Sequence, residues 1–386
     1  MMEEVYPQND LQDIHTEYSE FYRYLRGICL VGVGIWLGMT LFDDINGYWI
    51  NIFTEGISIL ATYFIFDEIT KRSAKHELKS QLMAELKSPT VAPAVNALDR
   101  LRRENWLDNN NFIEKDLQRA NWEEAYIGGL NFGRGKLSGI KLRSATTFNG
   151  YTHHPVNFQE ADLRTANLRE VNLHEANLRR ANLRQANLDD AKLFSSSLEE
   201  ADLTGANLAR VDLTGANLKE AYLTNANLQS ANLADADLQS VDLTGANLEG
   251  AYLWVANLAE ADMGLANLCE SDLTGANLQG VYLQEAKLDL ADLRAANLRA
   301  ADLTEASLTG ANLSGVSLEG ADLTGANLSN VIWHDTNSYR KTRLPDDTDW
   351  TDATDMEKFC NPHHPEYEYT QYVIEAIRKE IKLRVK

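Results

Sequence analysis

The dominant pattern in the chain is an apolar residue at every fifth position from Phe158 to Trp333. It gives 36 consecutive repeats, and 33 of the last 35 carry leucine there, the others being Met263 and Trp333. In these last 35 repeats, the residue two positions before is alanine in 27, valine in six and serine in two. A run of this length without a slip predicts a repeat architecture, not a series of separate secondary-structure elements.

A period of five is incompatible with an amphipathic helix, because five residues turn about 500° and scatter the leucines around the axis. In a flat strand, an odd period sends successive leucines to opposite faces. The leucines all stay inside if alanine and leucine face inward on a short extended segment and the next two residues turn a corner. With a right-angled corner after each repeat, four repeats close a coil of 20 residues. Coils stacked as parallel strands lie ~4.8 Å apart, so the 36 repeats predict nine coils and a rod of ~43 Å.

A second and weaker phase of the same period lies upstream and lengthens the predicted rod beyond ~50 Å. It slips by one residue before Phe158, and we expect the slip between Thr146 and Pro155. Its apolar positions are Leu117, Trp122, Ile127, Phe132, Leu137 and Leu142.

Three segments show the repeat in its plainest form: Ala161-Asp162-Leu163, Ala206-Asn207-Leu208 and Ala326-Asn327-Leu328. They match A(D/N)LXX, the motif of the pentapeptide-repeat family, which the chain resembles over roughly 220 residues. The resemblance implies an all-β solenoid, a right-handed quadrilateral parallel β-helix. The preceding region, through Asn105-Trp106-Leu107, resembles membrane-anchored bacterial members.

Two uncharged or nearly uncharged segments precede the repeats, 27–42 and 49–66, and the second contains one acid, Glu55. As helices of 16 and 18 residues they span roughly 24 and 27 Å. This is short for a hydrocarbon core of about 30 Å, but flanking aromatic residues favour insertion. We therefore predict a transmembrane helical hairpin in contact with lipid. A buried helical hairpin in a soluble domain is the alternative.

Basic residues precede the first segment and follow the second, whereas the connecting loop carries only acids. The positive-inside rule then predicts a two-pass membrane protein with both termini and the solenoid in the cytoplasm. Gly34 and Gly38 form a GxxxG step suited to close helix packing, although glycine is common in membrane helices. Glu55 is a functional candidate as a membrane carboxylate, or it lies at a shallow interface.

The pattern divides the chain into five regions. A charged helix with Leu78, Leu82 and Leu86 on one face is expected after the hairpin, followed after Pro89 and Pro93 by a helix over 94–107. A final helix is expected from Pro365, as a cap or a dimerisation element, so a homo-oligomer through this helix or the hairpin is possible. The regions are a cytoplasmic segment 1–26, the transmembrane hairpin 27–66, a helical linker 67–111, the solenoid 112–333 and a C-terminal cap 334–386.

Residues 20 apart fall on the same side of a coil, so the outward position beside each leucine can be followed along four sides. Sides 2 and 4 are mostly asparagine, which can hydrogen-bond from coil to coil and predicts a structural role. Side 3 mixes Asp212, Asp272 and Asp292 with Tyr252. Side 1 comprises Asp162, Asn182, Asp202, Tyr222, Asp242, Asp262, Tyr282, Asp302 and Asp322. Its stacked aspartates repel one another, which indicates either solubility or a cationic partner.

The net charge and its distribution along the chain narrow the possible functions. With 57 acids against 36 bases the net charge is −21, which disfavours direct binding of nucleic acid. Arginines cluster near Arg180, whereas residues 220–286 hold ten acids and no lysine or arginine. The candidate partner-binding residues of this acidic band are Asp237, Asp242, Glu249, Asp262 and Asp272. The candidate exposed aromatic residues are Tyr222, Tyr252, Trp254 and Tyr282.

Motifs of catalysis and cofactor binding are not found. No P-loop, dinucleotide glycine motif or zincin helix occurs, so we expect no enzyme and no cofactor. Cys29, Cys269 and Cys360 are too dispersed for a disulfide framework and suit a reducing compartment. Cys360 with His363 and His364, and the pair His153-His154, are weak metal candidates, which we assign to turns and the surface; no metal site is predicted.

Two functions remain. The first is a membrane-tethered scaffold that presents a rigid acidic rod to a protein partner. The second follows from the family resemblance, since some pentapeptide-repeat proteins act as DNA mimics that bind type II topoisomerases. The acid spacing of roughly one per 1.6 Å of rod is near the ~1.7 Å of duplex DNA. The predicted anchor and the arginines near Arg180 favour the scaffold.

Overall fold

The computed structural model describes residues 47–107, 112–149, 152–334, 342–351 and 354–384. The chain divides into two compact units, Met1–Ser80 and Gln81–Lys386. Four helices are described: α1 (Gly47–Glu85), α2 (Val91–Arg103), α3 (Glu357–Cys360) and α4 (Tyr367–Arg384). Between α2 and α3 the second unit is a stack of coils.

The repeat forms the predicted coil of four. In the motif A(D/N)LXX we number alanine as position 1 and leucine as position 3. Residues at positions 1 and 3 are almost completely buried, and position 2 forms a parallel bridge with the residue 20 further along the chain, as between Asp162 and Asn182. Each described repeat contributes a single bridge residue instead of a longer strand. The alanine and leucine of each repeat therefore form the core, as predicted.

The corners are made at positions 4 and 5. Every fifth residue from Glu160 to Asn330 has a positive φ, between +55° and +73°. The carbonyl of position 3 accepts the N–H of the next position 1, as Leu163 does from Ala166 at 3.0 Å. A bond across four residues with positive φ at the third is the arrangement of a type II turn. Serine is accommodated at position 1 because its hydroxyl donates to a carbonyl in the same turn, as Ser271 does to Leu268 at 2.7 Å.

The weaker upstream phase also forms coils. All six of its predicted apolar residues are buried, and so is Phe112, which extends the phase by one repeat. Phe112, Phe132 and Phe158 stack in one column, with ring centroids 5.2 and 4.9 Å apart. The predicted slip is confirmed in place, but it is an insertion of six residues: bridge partners are 26 apart here, as in Asn131 with Asn157, instead of 20.

The N-terminal end of the stack is covered by the end of α1 and by α2. The Trp122 indole N–H donates to the Leu86 carbonyl at 2.8 Å, and the Asn121 N–H donates to Ser88 at 2.9 Å. The predicted apolar face is confirmed at Leu82 and Leu86, which are buried. The second helix begins at Val91 and ends at Arg103, instead of spanning 94–107 as expected, because Pro93 lies in its first turn, where a missing N–H is tolerated.

The coils continue beyond Trp333. Arg343 bridges Asp322, and Leu344 is buried in the position of a core leucine. The Asn330 N–H, in the last complete coil, donates to the Cys360 carbonyl of α3 at 2.7 Å. The backbone of α4 begins two residues after Pro365. Segments from α3 and α4 thus satisfy polar groups that the last coil would otherwise expose.

In the described part of the chain, no helix combines the length and the apolar run needed to cross a membrane. The first predicted membrane segment, 27–42, with Gly34 and Gly38, lies outside the described residues. The second, 49–66, with Glu55, lies within α1. Membrane insertion therefore stays a prediction.

The inward and outward positions predict opposite outcomes for neighbouring substitutions. Ala226→Arg places an unpaired charge in the core and should reduce the free energy of unfolding by about 3–5 kcal/mol, since Ala226 is only 1% exposed. Asn225→Arg should change it little, because Arg180 and Arg210 already occupy position 5 with the same φ. Thermal melts of both variants check this, and equal melting temperatures would contradict the assignment.

Candidate protein-interaction surface

The structure distributes the candidate acids over different sides of the stack. Asp242 and Asp262 share side 1, Asp237 is on side 4 and Asp272 on side 3. Glu249 is at position 4, on the corner after side 2. The acidic band is therefore not one surface, and only the two aspartates of side 1 lie in neighbouring coils on the same side.

The exposed aromatic residues divide in the same way. Tyr222 and Tyr282 lie on side 1, and their side chains are open to solvent, 53% and 50% exposed. Tyr252 lies on the opposite side 3, with Trp254 and Val255 on the corner that follows it. All three of these are also exposed. The sequence candidates thus form two separate aromatic surfaces.

On side 1 the two tyrosines enclose the two aspartates. Consecutive parallel bridges join Tyr222 to Asp242, Asp242 to Asp262 and Asp262 to Tyr282. We call these four residues the tyrosine–aspartate row. With ~4.8 Å between coils, its ends lie roughly 14 Å apart. Leu265, which the sequence analysis did not single out, is 60% exposed on the corner beside Asp262 and adds an apolar contact.

The aspartates of side 1 have a structural role, which is to accept a backbone N–H of their own turn. The Oδ1 atom of position 2 accepts the backbone N–H of position 4, as Asp242 does from Thr244 at 2.9 Å and Asp262 from Gly264 at 3.1 Å. Asparagine at position 2 makes the same bond, for example Asn267 with Cys269 at 3.3 Å. The other four backbone N–H groups of the repeat bond to backbone carbonyls, so this local turn satisfies the remaining one, at position 4. This accounts for aspartate and asparagine at position 2.

The second carboxylate oxygen distinguishes the two aspartates of the row. Asp242 Oδ2 accepts the Thr224 hydroxyl at 2.8 Å. Burial raises the pKa of Asp242, but its hydrogen bonds from Thr244 and Thr224 outweigh burial and hold the pKa below its ordinary value. Within the described residues, no side chain donates to the second oxygen of Asp262. Asp262 therefore presents a carboxylate oxygen that is available to a partner.

The arginines near the start of the stack do not form a free basic patch. They are paired with acids in their own or the neighbouring coil: Arg179 with Glu199 at 2.7 Å, Arg180 with Glu200 at 2.9 Å. Arg210 likewise binds Asp190 at 2.8 Å. Residues 220–286 contain no base, and among the described residues no acid of that region forms an ion pair. The uncompensated negative charge of the stack is therefore greatest around the tyrosine–aspartate row.

The asparagine columns of sides 2 and 4 are confirmed as structural. On side 2, the four asparagine amides from Asn207 to Asn267 donate to the asparagine of the preceding coil, at 3.2 Å from Asn207 to Asn187 and 3.0 Å from Asn267 to Asn247. On side 4, Asn277 donates to Asn257 at 2.9 Å. These side chains bond to each other, so they are less suited than side 1 to contact a partner.

The weak metal candidates separate from one another. Cys360 is buried and its thiol donates to the Met356 carbonyl at 3.0 Å, while burial raises its pKa to about 11. His364 instead pairs with Asp355 at 3.1 Å. His154 bonds to Thr152, whereas His153 faces residues of the next coil. Among the described residues, neither set of candidates that lie close in sequence forms a cluster of three metal-ligand atoms.

Comparison with known families identifies the repeat. A family model described as pentapeptide repeats matches in eight copies, over residues 156–185, 186–225, 216–254, 256–289 and 291–330. The matched residues all lie in the stacked coils. A search of the curated proteins finds no match.

Solved structures similar to this chain include other repeat proteins. HetL, a pentapeptide repeat protein involved in heterocyst differentiation regulation from the cyanobacterium Nostoc, is 31% identical, with 66% of this chain and 99% of HetL covered and a TM-score of 0.32. Rfr23, a pentapeptide repeat protein from the cyanobacterium Cyanothece, is 30% identical, with coverage of 34% and 63% and a TM-score of 0.11. Trypsin-treated QnrB1, a plasmid-mediated fluoroquinolone resistance protein, is 17% identical, with coverage of 59% and 86% and a TM-score of 0.29.

The role of Asp242 as a hydrogen-bond acceptor can be tested separately from its negative charge. Asp242→Asn keeps the acceptor for the Thr244 N–H and should leave the melting temperature nearly unchanged. Asp242→Ala removes the acceptor for both Thr244 and Thr224 and should reduce the free energy of unfolding by about 1 kcal/mol. Denaturant unfolding of the two variants measures the difference, and an alanine variant as stable as the asparagine variant would refute the role.

Proposed function

Because the chain belongs to the pentapeptide-repeat family, we propose that it is a non-enzymatic scaffold whose right-handed β-helix presents the tyrosine–aspartate row to a protein partner. Proteins of this family are in general non-catalytic structural or interaction proteins. The observation that carries the proposal is the exposure of Tyr222 and Tyr282 on a side that otherwise repeats aspartate. Unlike aspartate and asparagine, tyrosine has no side-chain oxygen that can accept the N–H of position 4 in the same turn, so the fold does not account for these two residues.

The row has the composition of an interaction hot spot. Tyrosine offers a large apolar ring with few rotatable bonds, and such residues are enriched among those that dominate binding energy. Between the rings, Asp262 offers an unpartnered carboxylate oxygen, and Leu265 adds an apolar contact at the corner. The row is held by the backbone bonds of consecutive coils, so little ordering is required when a partner binds.

The chemistry of the row indicates the chemistry of the partner. A basic side chain can bind the Asp262 carboxylate and lie over a flanking tyrosine ring, which combines an ion pair with a cation–π contact. Arginine suits both contacts better than lysine, because its planar guanidinium binds carboxylates and stacks on rings. We therefore propose a protein partner with an arginine-containing surface. The negative charge of the base-free region around the row steers this partner toward it.

The DNA-mimic alternative is less well supported by the geometry. A mimic needs acids in rows that match two phosphate strands, but the band lies on three sides and one corner of the stack. The Oδ1 atoms of Asp237, Asp242, Asp262 and Asp272 all accept backbone N–H groups of their own turns. Their placement thus follows from the repeat and does not require a nucleic-acid-binding partner.

Membrane tethering is a separate part of the proposal. Its support is the sequence of the two N-terminal segments and the exposure of apolar side chains along α1. The exposed residues are Ile59, Leu60, Tyr63, Phe64, Ile65, Phe66 and Ile69. An apolar surface of this size requires an apolar environment, and a bilayer supplies one.

The row is tested by affinity capture with the full-length protein from solubilised cells. Tyr222→Asn with Tyr282→Asn should abolish capture of the partner without loss of stability, since asparagine is common at position 2 and restores the local turn. Tyr252→Asn is the matched control on the opposite side and should retain the partner.

If the side 1 variant retained the partner and the side 3 variant lost it, the interaction surface would lie on side 3 and the proposal would be wrong. A captured partner that DNA displaces, and that still binds after both tyrosines are changed, would support the DNA mimic instead. Neither result is expected.

Membrane tethering is tested by alkaline carbonate washing. The full-length protein should remain in the membrane pellet, and a chain that begins at Gln81 should be found in the supernatant. The truncation must keep Leu82 and Leu86, because these buried residues cover the first coil. Quantitative release of the full-length protein would refute the anchor and leave the proposed surface unaffected.

A further inference from the structure

The six-residue insertion carries a cluster of titratable side chains that the proposed interaction surface does not use. An antiparallel bridge between Phe148 and His153 folds the insertion back on itself. The His153 ring then lies 4.6 Å from the ring of His174, which is at position 4 of the next coil. Together with Glu175 at position 5, these residues offer two imidazole nitrogens and a carboxylate oxygen, all within 4.8 Å of one another.

Hydrogen bonds determine which imidazole nitrogens face the cluster. His174 Nδ1 lies 3.0 Å from the Phe194 carbonyl oxygen, and since a carbonyl can only accept, Nδ1 carries the proton. His153 Nε2 lies 2.9 Å from the hydroxyl of the buried Thr147, which accepts the N–H in the tautomer that leaves Nδ1 free. In that tautomer the unprotonated atoms are His174 Nε2 and His153 Nδ1.

Both of these atoms face the same carboxylate. His174 Nε2 is 3.3 Å from Glu175 Oε1, and His153 Nδ1 is 3.6 Å from Glu175 Oε2. Lone pairs on two acceptors repel at this distance unless a proton or a cation lies between them.

We propose that His153, His174 and Glu175 bind a divalent transition-metal ion, for which Zn²⁺ is the best match. Ligand atoms ~2.0–2.1 Å from a tetrahedral zinc lie ~3.3–3.4 Å apart. The cluster approaches this spacing: one ligand atom of each residue lies within 4.8 Å of the others, and the two histidine nitrogens face the two oxygens of Glu175 at 3.3 and 3.6 Å. Imidazole ligands select zinc and its transition-metal neighbours over Mg²⁺ and Ca²⁺.

The surroundings of the two histidines support the assignment. Metal-binding histidines donate their second ring N–H to a carbonyl, carboxylate or hydroxyl, which fixes the ring. Phe194 supplies such a carbonyl to His174 and also stacks on its ring, with centroids 3.6 Å apart. Thr147 supplies a hydroxyl to His153. A metal ion at this point links the insertion to the following coil and leaves a fourth position for water or a ligand from a partner.

The test uses the full-length protein without a polyhistidine tag. Zn²⁺ binding is measured by isothermal titration calorimetry, and the visible absorption of bound Co²⁺ reports tetrahedral coordination. The variants are His174→Gln and Glu175→Gln. Both introduce glutamine where the repeat already accepts it, since Gln159 occupies position 4 and Gln185 occupies position 5. His154→Gln and His364→Gln are the matched controls, because these histidines lie outside the cluster.

We expect one Zn²⁺ per chain, a rise in melting temperature with Zn²⁺, and a tetrahedral Co²⁺ spectrum. Each cluster variant should weaken Zn²⁺ binding by more than tenfold and lose the Co²⁺ spectrum, as removal of even an outer-shell partner costs about tenfold to a hundredfold. The two controls should bind as the unaltered chain does. The proposal is overturned if the unaltered chain binds no Zn²⁺ at micromolar concentration, or if the folded cluster variants bind it equally well. Equal loss of binding in His154→Gln would also overturn it.

Discussion

The structure depends on a backbone in which the motif A(D/N)LXX can satisfy all five N–H groups of a repeat. Three of them bond to neighbouring coils, as Leu163 does to Asn182 at 2.7 Å, one closes the turn, and the last bonds to the side chain at position 2. This arrangement requires positive φ at position 5, and 25 of the 35 residues there from Glu160 to Asn330 are not glycine. Left-handed backbone costs roughly 1–2 kcal/mol for such a residue. The coil-to-coil hydrogen bonds and the burial of alanine and leucine offset that cost.

The same constraint limits which residues are free to act. An aspartate or asparagine at position 2 is already engaged with the backbone of its own turn, and the asparagines of sides 2 and 4 also bond to each other. The departures from the motif are therefore the informative positions. Tyr222 and Tyr282 replace the polar residue on side 1, and the six-residue insertion brings His153 beside His174. Both proposed sites lie at such departures.

Charge follows a similar division along the stack. In the first coils, arginines and acids alternate between neighbouring coils and pair across them, as Arg180 does with Glu200. Such exposed pairs contribute little to stability, but they remove the field that a free basic patch would produce. From residue 220 to residue 286 the bases are absent while the acids continue. The stack thus carries its uncompensated charge next to its exposed tyrosines, which is the combination expected of a surface that attracts a basic partner.

The sequence by itself determined the period, the core and the composition of each side, because a five-residue repeat leaves the chain only one way to keep every leucine inside. It also located the insertion between Thr146 and Pro155, although only the bridge between Asn131 and Asn157 shows that six residues are inserted. The tertiary structure decided which side chains meet. The hydrogen bond from the Thr224 hydroxyl distinguishes Asp242 from Asp262, and the folded insertion joins His153 to His174 instead of to its neighbour in sequence. These contacts depend on rotamers and on loop geometry, and neither has a period that a sequence pattern can express.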